Sequence, residues 1–299
     1  MIEELEEKIK QLEGREENFK KLKREKDKII KNYQSKIQAY DRVLLARHED
    51  RPKGKDFIEN IISQPIYLHG DRLFKDDKSI IGGIGYLEER PVTFIATSKG
   101  KCLEDNVECN FGMPRPEGYR KALRLMKQAE KFNRPVVIFI DTPGAYPGID
   151  AEERGQGEAI ARNMLEMGRL RTPIISVITG EGGSGGALAL SVADRIMMME
   201  NSIFSILSPE GFATILWKDG SRYKEATEIM KLTAKDLYDY GIIDKIIDED
   251  ITFSLEGFQG NFNRLKKEIK KELNTLTRLK LDKLVKKRQD KYRKIGGGF

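Results

Sequence analysis

Apolar positions divide the chain into a helical beginning, an alternating middle and a helical end. Ile2, Leu5, Ile9, Leu12, Phe19, Leu22, Ile29, Tyr33, Ile37, Tyr40 and Leu44 recur at spacings of three, four or seven among dense Lys and Glu. That spacing predicts an amphipathic helix or helical hairpin over residues 1–45. Such a stripe needs a covering surface, on its own chain or on another subunit, and the pattern leaves both open. Residues 50–77 are mixed and polar, and Pro52 and Pro65 interrupt regular structure there. Ser79–Leu87 and Pro91–Ser98 read as a hairpin turning at Glu88-Glu89-Arg90. Residues 99–116 read as a long loop, and Glu117–Phe132 as a helix.

From there the alternation is regular. Pro135–Asp141 is a continuous apolar run, the mark of a strand buried on both faces. A Gly/Pro-rich loop runs to Asp150, and Ala151–Arg171 is helical. Pro173–Thr179 is a second buried strand, followed by a glycine loop at 180–186 and a small-residue helix from about Ala187. Arg195–Met199, Ile203–Leu207 and Ile242–Ile247 read as strands. Pro209–Leu216, Lys224–Lys231 and Ala234–Tyr240 read as helices. Strands alternating with helices imply a layered α/β domain with right-handed crossovers. Beyond Asp250 the chain is Lys-rich and helical to about Lys294, and Gly296–Gly298 reads as a frayed tail. The expected division is a helical extension at 1–50, an α/β domain at 51–250 and a basic helix and tail at 251–299.

Composition narrows the function classes. The 299 residues carry a net charge of +6, concentrated at the two ends, and 39% hydrophobic residues, enough for a sizeable core. The basic end reads as a solvated helix face, and nucleic acid as an improbable partner. No apolar stretch approaches a membrane span, and the charged first ten residues do not resemble a signal peptide. Cys102 and Cys109 are too few for a disulfide framework or a four-ligand zinc site, so no metal site is expected. The expectation is a cytoplasmic protein with reduced thiols.

The strongest chemical signal is Gly180-Glu181-Gly182-Gly183-Ser184-Gly185-Gly186-Ala187, between a buried strand and a helix. Glycines let a ligand approach the backbone, and a helix start leaves N–H groups unpaired, so the segment suits an anion or a developing oxyanion. Five glycines in positions 180–186 exceed what packing alone needs. The segment lacks the dinucleotide-binding glycine pattern and the Lys-Ser/Thr of a phosphate loop. Gly182-x-Ser184-x-Gly186 matches a nucleophile elbow, but His48 and His69, the only histidines, both precede it. Few candidate bases beside a rich glycine segment favour a reaction whose substrate supplies the base. Asp141-Thr-Pro-Gly-Ala-Tyr-Pro-Gly148 follows the neighbouring strand and completes one cleft edge, with Asp141 readable as an ordinary cap.

These residues resemble a family. Asn110-Phe-Gly-Met-Pro114 leading into Pro116-Glu-Gly-Tyr-Arg-Lys-Ala-Leu-Arg-Leu-Met126, Phe139–Gly148, Ala151–Gln156, Glu158–Asn163, Gly180–Ala189 and Ser208–Gly211 with Ile215–Lys218 are similar to the α subunit of bacterial acetyl-CoA carboxylase carboxyltransferase. The resemblance covers roughly residues 40–250. The family often has His-Gln where Thr97-Ser98 precede Lys99-Gly100, and Cys where Phe212 stands. The resemblance implies a crotonase-like (ClpP/crotonase) α/β spiral of ββα units with helical extensions. It implies carboxyl transfer from biotin, carried on biotin carboxyl carrier protein, to acetyl-CoA, giving malonyl-CoA for fatty-acid synthesis. It implies a zinc-ribbon β subunit and biotin carboxylase as partners, with an α2β2 assembly. Carried over by position, the Gly185 and Gly186 amides form an oxyanion hole for the biotin ureido oxygen. Gly182, Gly183, Ser184, Gly144, Ala145, Tyr146, Pro209, Glu210 and Gly211 line the substrate site. Two other readings compete: a free-standing hydratase or isomerase using Glu181 and Glu210, and a non-catalytic scaffold.

Overall fold

The computed structural model describes residues 36–295 together with Glu7 and Tyr33. The expected helix over residues 1–45 and the glycine tail therefore fall largely outside the described residues. The described part of the N-terminal stripe packs on its own chain. Helix α1 (Ala39–Arg47) buries Val43 and Ala46 against Ile203 and Leu232, while Tyr33, Ile37 and Leu44 join Leu45 and Ile251.

Two short elements stand where only irregular chain was expected. Helix α2 (Gly54–Ile61) buries Phe57, Ile58 and Ile61. Its single apolar face is two turns long, too short for a periodicity argument. Strand β1 (Ser63–Tyr67) contains Pro65, which an edge strand tolerates because no neighbour needs its missing N–H. The hairpin β2 (Ile80–Leu87) and β3 (Arg90–Thr97) pairs Leu87 with Arg90, so the turn is Glu88-Glu89 alone. Glu88 takes φ +57, as a tight hairpin turn requires. The expected 99–116 loop contains α3 (Leu103–Glu108) and a 3₁₀ turn at Asn110–Gly112. Helix α4 (Pro116–Lys131) starts with proline in its first turn, as expected for that position.

Strand β4 (Val136–Thr142) is buried at every residue. The helical stretch after it is two helices, α5 (Ile149–Glu153) and α6 (Gln156–Met167), separated at Gly155, whose φ of +83 breaks the helix. Strand β5 (Ile174–Gly183) runs ten residues and absorbs the first half of the expected glycine loop. Helix α7 (Ser184–Leu188) comes next without a break and lasts five residues. Then come β6 (Arg195–Met199), β7 (Ile203–Ser205), α8 (Pro209–Trp217), α9 (Tyr223–Met230), α10 (Ala234–Asp239) and β8 (Lys245–Ile247). The basic end is two helices, α11 (Gln259–Leu276) and α12 (Leu281–Lys294).

The strands form one eight-stranded sheet in the order β1-β2-β3-β4-β5-β6-β8, with β7 pairing β5 beyond the main path. The first two pairings are antiparallel and the rest parallel. Alternate residues of the central strands feed two cores. Ile138, Ile140, Ile174 and Ile178 meet α4, α6, α7 and α10 on one face. Val137, Phe139, Ile175 and Val177 meet α2 and α11 on the other, where Phe57 lies between Phe139 and Phe262 at ring distances of 5.7 and 5.1 Å. Helix α11 thus contributes Phe262, Leu265, Ile269 and Leu273 to the core beneath the α/β sheet. Among the described residues no helix is long and apolar enough to cross a membrane.

Candidate functional site

β4 and β5 are parallel neighbours, so their last residues emerge at the same sheet edge. Their register changes there. Ile140 pairs with Ile178, but Thr142 pairs with Gly182, so Asp141 alone faces Thr179, Gly180 and Glu181. A bulge of this kind bends the strand and re-aims the residues beyond it. Past it, β5 pairs with β7 through Glu181, Gly182 and Gly183.

The Asp141 carboxylate fills the bulge. Its Oδ1 accepts the Glu181 N–H at 2.9 Å and the Lys99 ammonium at 2.7 Å. Its own N–H donates to Thr97 Oγ1 at 2.6 Å. Lys99 also reaches Glu181 Oε2 at 3.0 Å. Glu181 Oε1 accepts from Arg47 Nε at 2.7 Å, and Arg47 continues to Glu210 Oε1 at 2.8 Å. Burial would lower the Lys99 pKa and raise that of Asp141. The Asp141 and Glu181 carboxylates outweigh burial at Lys99 and raise it, while Lys99, the Glu181 N–H and nearby Lys53 outweigh burial at Asp141 and lower it. Burial likewise works to raise Glu210, but its bonds from Arg47 hold it below the ordinary glutamate value. Asp141 is therefore a buried, paired anion, and the expectation of a cap does not describe it.

The glycines do different work. A Cβ on Gly180 would lie 2.5 Å from Asp141 Oδ1, one on Gly182 2.8 Å from the Phe204 ring, and one on Gly183 2.0 Å from the Pro143 carbonyl oxygen. A Cβ on Gly186 would lie 2.6 Å from the Ala145 nitrogen. Packing thus requires four of the five, so the run exceeds the needs of packing by Gly185 alone. Gly185 is the exception: its Cβ would meet only Ile160, at 3.7 Å. Ser184, the first residue of α7, takes φ +50 and turns the chain sharply out of β5. The Gly185 and Gly186 amides lie in the first turn of α7, where no carbonyl four residues earlier belongs to the helix. Among the described residues neither donates to a turn, a cap or another element.

The close approach at Gly186 brings Gly144 and Ala145 against this turn. Gly144, at φ +151, has open space where a side chain would be. Tyr146 is held from three sides: its N–H donates to Pro114 O at 3.0 Å, its carbonyl accepts from Gln156 at 2.9 Å, and the Arg115 guanidinium lies 3.9 Å from its ring centre. Pro209, Glu210 and Gly211 form the first turn of α8, capped by Ser208 accepting the Gly211 N–H at 3.0 Å. They connect with the glycine strand through Arg47. A cavity of about 310 Å³ opens beside α7, lined largely by apolar groups including Leu188, Phe204, Ile206 and Tyr292, with Ser184 at its wall.

Sequence reasoning missed Arg47, Lys99 and Thr97. A lysine in the small-residue turn directly after an apolar strand was the available signal, since a buried ammonium needs a carboxylate partner. His48 follows Arg47, but its ring packs on Phe253 at 4.6 Å and its Nδ1 accepts the Asp50 N–H. Phe212 meets the Trp217 ring edge-on at 6.1 Å. Among the described residues no group of three His, Cys, Asp or Glu side chains is arranged to hold a metal ion.

The chain is similar to known proteins over most of its length. The model of the family described as acetyl co-enzyme A carboxylase carboxyltransferase-like matches residues 1–296. The acetyl-coenzyme A carboxylase carboxyl transferase subunit alpha of Clostridium botulinum is 58% identical over 257 residues, covering 86% of this chain and 94% of that one. A Clostridium tetani protein named as joined beta/alpha subunits is 54% identical over 267 residues, 89% of this chain and 46% of that one. A Pseudomonas malonate decarboxylase hetero-tetramer solved with coenzyme A contains a chain with TM-score 0.64 and 14% identity, covering 82% of this chain and 97% of that one. That likeness bears on the fold, which is crotonase-like. By family match and by identity along its length, this chain belongs to the acetyl-CoA carboxylase carboxyltransferase family.

Proposed function

We propose that this chain is the α half of a biotin-dependent acetyl-CoA carboxyltransferase, and that its Gly185 and Gly186 amides hold negative charge on the biotin ureido oxygen. The observation that carries the reading is a helix-start pair of amides that no other element of the fold engages, in a chain 58% identical to a carboxyl transferase α subunit. A β subunit is the natural partner, because a relative carries both halves in one chain. Transfer to acetyl-CoA, a biotin carboxyl carrier protein as donor, biotin carboxylase upstream and an α2β2 assembly belong to the same proposal.

The residues present fit biotin. A neutral bicyclic urea needs apolar walls and N–H donors at its oxygen. The cavity beside α7 offers apolar walls, and Ser184 and Leu188 of that helix line it; the proposed donors Gly185 and Gly186 stand between those two residues in the helix but are not in the cavity lining. Biotin, when bound, supplies the carboxyl group and keeps the electron pair of the broken N–C bond. In this reading the Gly185 and Gly186 N–H groups stabilise that charge, their orientation fixed before the reaction begins. Gly144 and Ala145 hold Gly186 from behind, and Tyr146 bounds the neighbouring loop. No protein base is assigned. Glu210 stays ionised against Arg47 and is a poor proton donor. The same pairing weakens the hydratase reading, although Glu181 and Glu210 do converge on one arginine.

The test is reconstitution with a β subunit and a carboxylated carrier protein. Malonyl-CoA is expected only when both subunits are present. Hydration of an enoyl-CoA by the isolated chain would favour the hydratase reading instead.

A further inference from the structure

Lys99 and Asp141 meet at the end of β5 that leads into the glycine helix, and the proposed reaction assigns them no part. We infer that Lys99 and Asp141 are positioning residues for the Gly185 and Gly186 amides, acting through the Glu181 N–H at the β5 bulge. This rests on the carboxyltransferase reading and goes beyond it.

Three observations carry it. First, the bulge exists at one place only along β4 and β5, and there Asp141 alone faces three residues of β5, two more than regular pairing provides. Second, the Asp141 carboxylate, 4% exposed, bonds the backbone of residue 181 at 2.9 Å, only four residues before Gly185. The absent side chain at Gly180 leaves the space that this carboxylate occupies. Third, Lys99 ties the backbone anchor to the side chain, joining Asp141 at 2.7 Å to Glu181 at 3.0 Å. Residue 181 is thus fixed at its amide by Asp141 and at its carboxylate by Lys99 and Arg47. Between that fixed point and the first proposed donor lie Gly182, Gly183 and Ser184. Pairing with β7 and close packing on Phe204 and Pro143 keep Gly182 and Gly183 extended, and the anchor at residue 181 sets where that stretch starts.

A buried carboxylate that has lost its cation relaxes toward water or protonates. Either change loosens the Glu181 amide and passes down a short, side-chain-poor segment. A displacement near 1 Å at a donor costs rate on the order of a hundredfold, whereas acyl-CoA binding elsewhere need not change.

The experiment uses the full chain assembled with its β subunit. Lys99→Met keeps the length of the side chain and removes the charge, Lys99→Arg keeps the charge, and Asp141→Asn keeps the shape. The expected result for Lys99→Met is a kcat lowered about tenfold or more. Its KM for acetyl-CoA and its β-subunit affinity stay within about twofold, and Lys99→Arg recovers most of the rate. Asp141→Asn is expected to follow Lys99→Met if it folds, and the lysine pair decides the matter if it does not. A kcat within twofold of the parent for Lys99→Met would overturn the inference and leave the carboxyltransferase reading standing. A parallel loss of acetyl-CoA binding and β-subunit affinity would also overturn it, by showing general collapse. An assembled parent enzyme with no carboxyl transfer would sink both.

Discussion

Gly186→Ala is expected to lower the kcat of the assembled enzyme by at least about a hundredfold and to lower its melting temperature, while Gly185→Ala changes both little. The two glycines are adjacent and both head α7, so a sequence argument treats them alike. Their surroundings differ. The added methyl at 186 would lie 2.6 Å from the backbone nitrogen of Ala145 and 2.6 Å from the carbonyl carbon of Gly144. Backbone cannot swing aside as a side chain can, so the 144–145 segment or α7 must move. Overpacking of this kind costs about 1–3 kcal/mol, and a shift near 1 Å of a donor accounts for the rate. At 185 the methyl would meet Ile160 at 3.7 Å, an ordinary contact. Melting curves and carboxyl-transfer rates for the two variants check this directly. Equal effects at both positions would contradict the packing account.

The second large effect concerns the C-terminal helix α12. Arg288 of α12 is fully buried, and its guanidinium donates to both oxygens of Asp194 and to the carbonyls of Met167, Leu170 and Thr172. The contact fastens the basic C-terminal helix to the loop before β5 and to the start of β6. Arg288→Met leaves Asp194 buried at 3% exposure with no cation and strips a donor from three carbonyls. Breaking a buried pair from one side costs about 3–5 kcal/mol, and denaturant unfolding at pH 7 is expected to show that loss. Adding Asp194→Asn is expected to recover part of it, since the uncompensated charge is then gone. A loss below about 1 kcal/mol would mean that α12 is held by its apolar contacts alone. A wholly solvated basic face, as the sequence suggested for this end, would also give that result.

How much was legible depends on the reach of each feature along the chain. The buried strands β4 and β5 declared themselves because a both-sides-buried strand is apolar at every position, as Val136–Ile140 and Ile174–Ile178 nearly are. Helix α4 declared itself through sixteen residues of regular spacing. Helix α2 and strand β1 did not, because eight and five residues close to prolines hold too few periods. The end of β5 was misread for another reason. Glycine has a low strand propensity, yet pairing with β7 holds Gly182 and Gly183 extended. Tertiary pairing overrode local preference.

The site was legible as a segment and not as a network. The run 180–186 announced an unusual backbone, and the convergence of Gly144–Ala145 with it came from two strands ending side by side. Which glycine serves packing could not be read, because Asp141, Pro143, Ala145 and Phe204 supply the crowding from other parts of the chain. The ion chain Asp141–Lys99–Glu181–Arg47–Glu210 joins segments as many as 163 residues apart. No local pattern encodes such a set. The ring of Phe212 and the Thr97 hydroxyl that accepts the Asp141 N–H were visible only as departures from the family pattern.

Two backbone hydrogens on adjacent glycines are asked to carry the chemistry, so the sharpest measurement deletes one of them and nothing else. Replacing the Gly185 amide by an ester removes its N–H and adds no side chain. The assembled α/β enzyme carrying that single atom exchange is expected to bind acetyl-CoA normally and to lose about 100- to 1,000-fold in kcat. A rate close to that of the all-amide enzyme would contradict the oxyanion assignment.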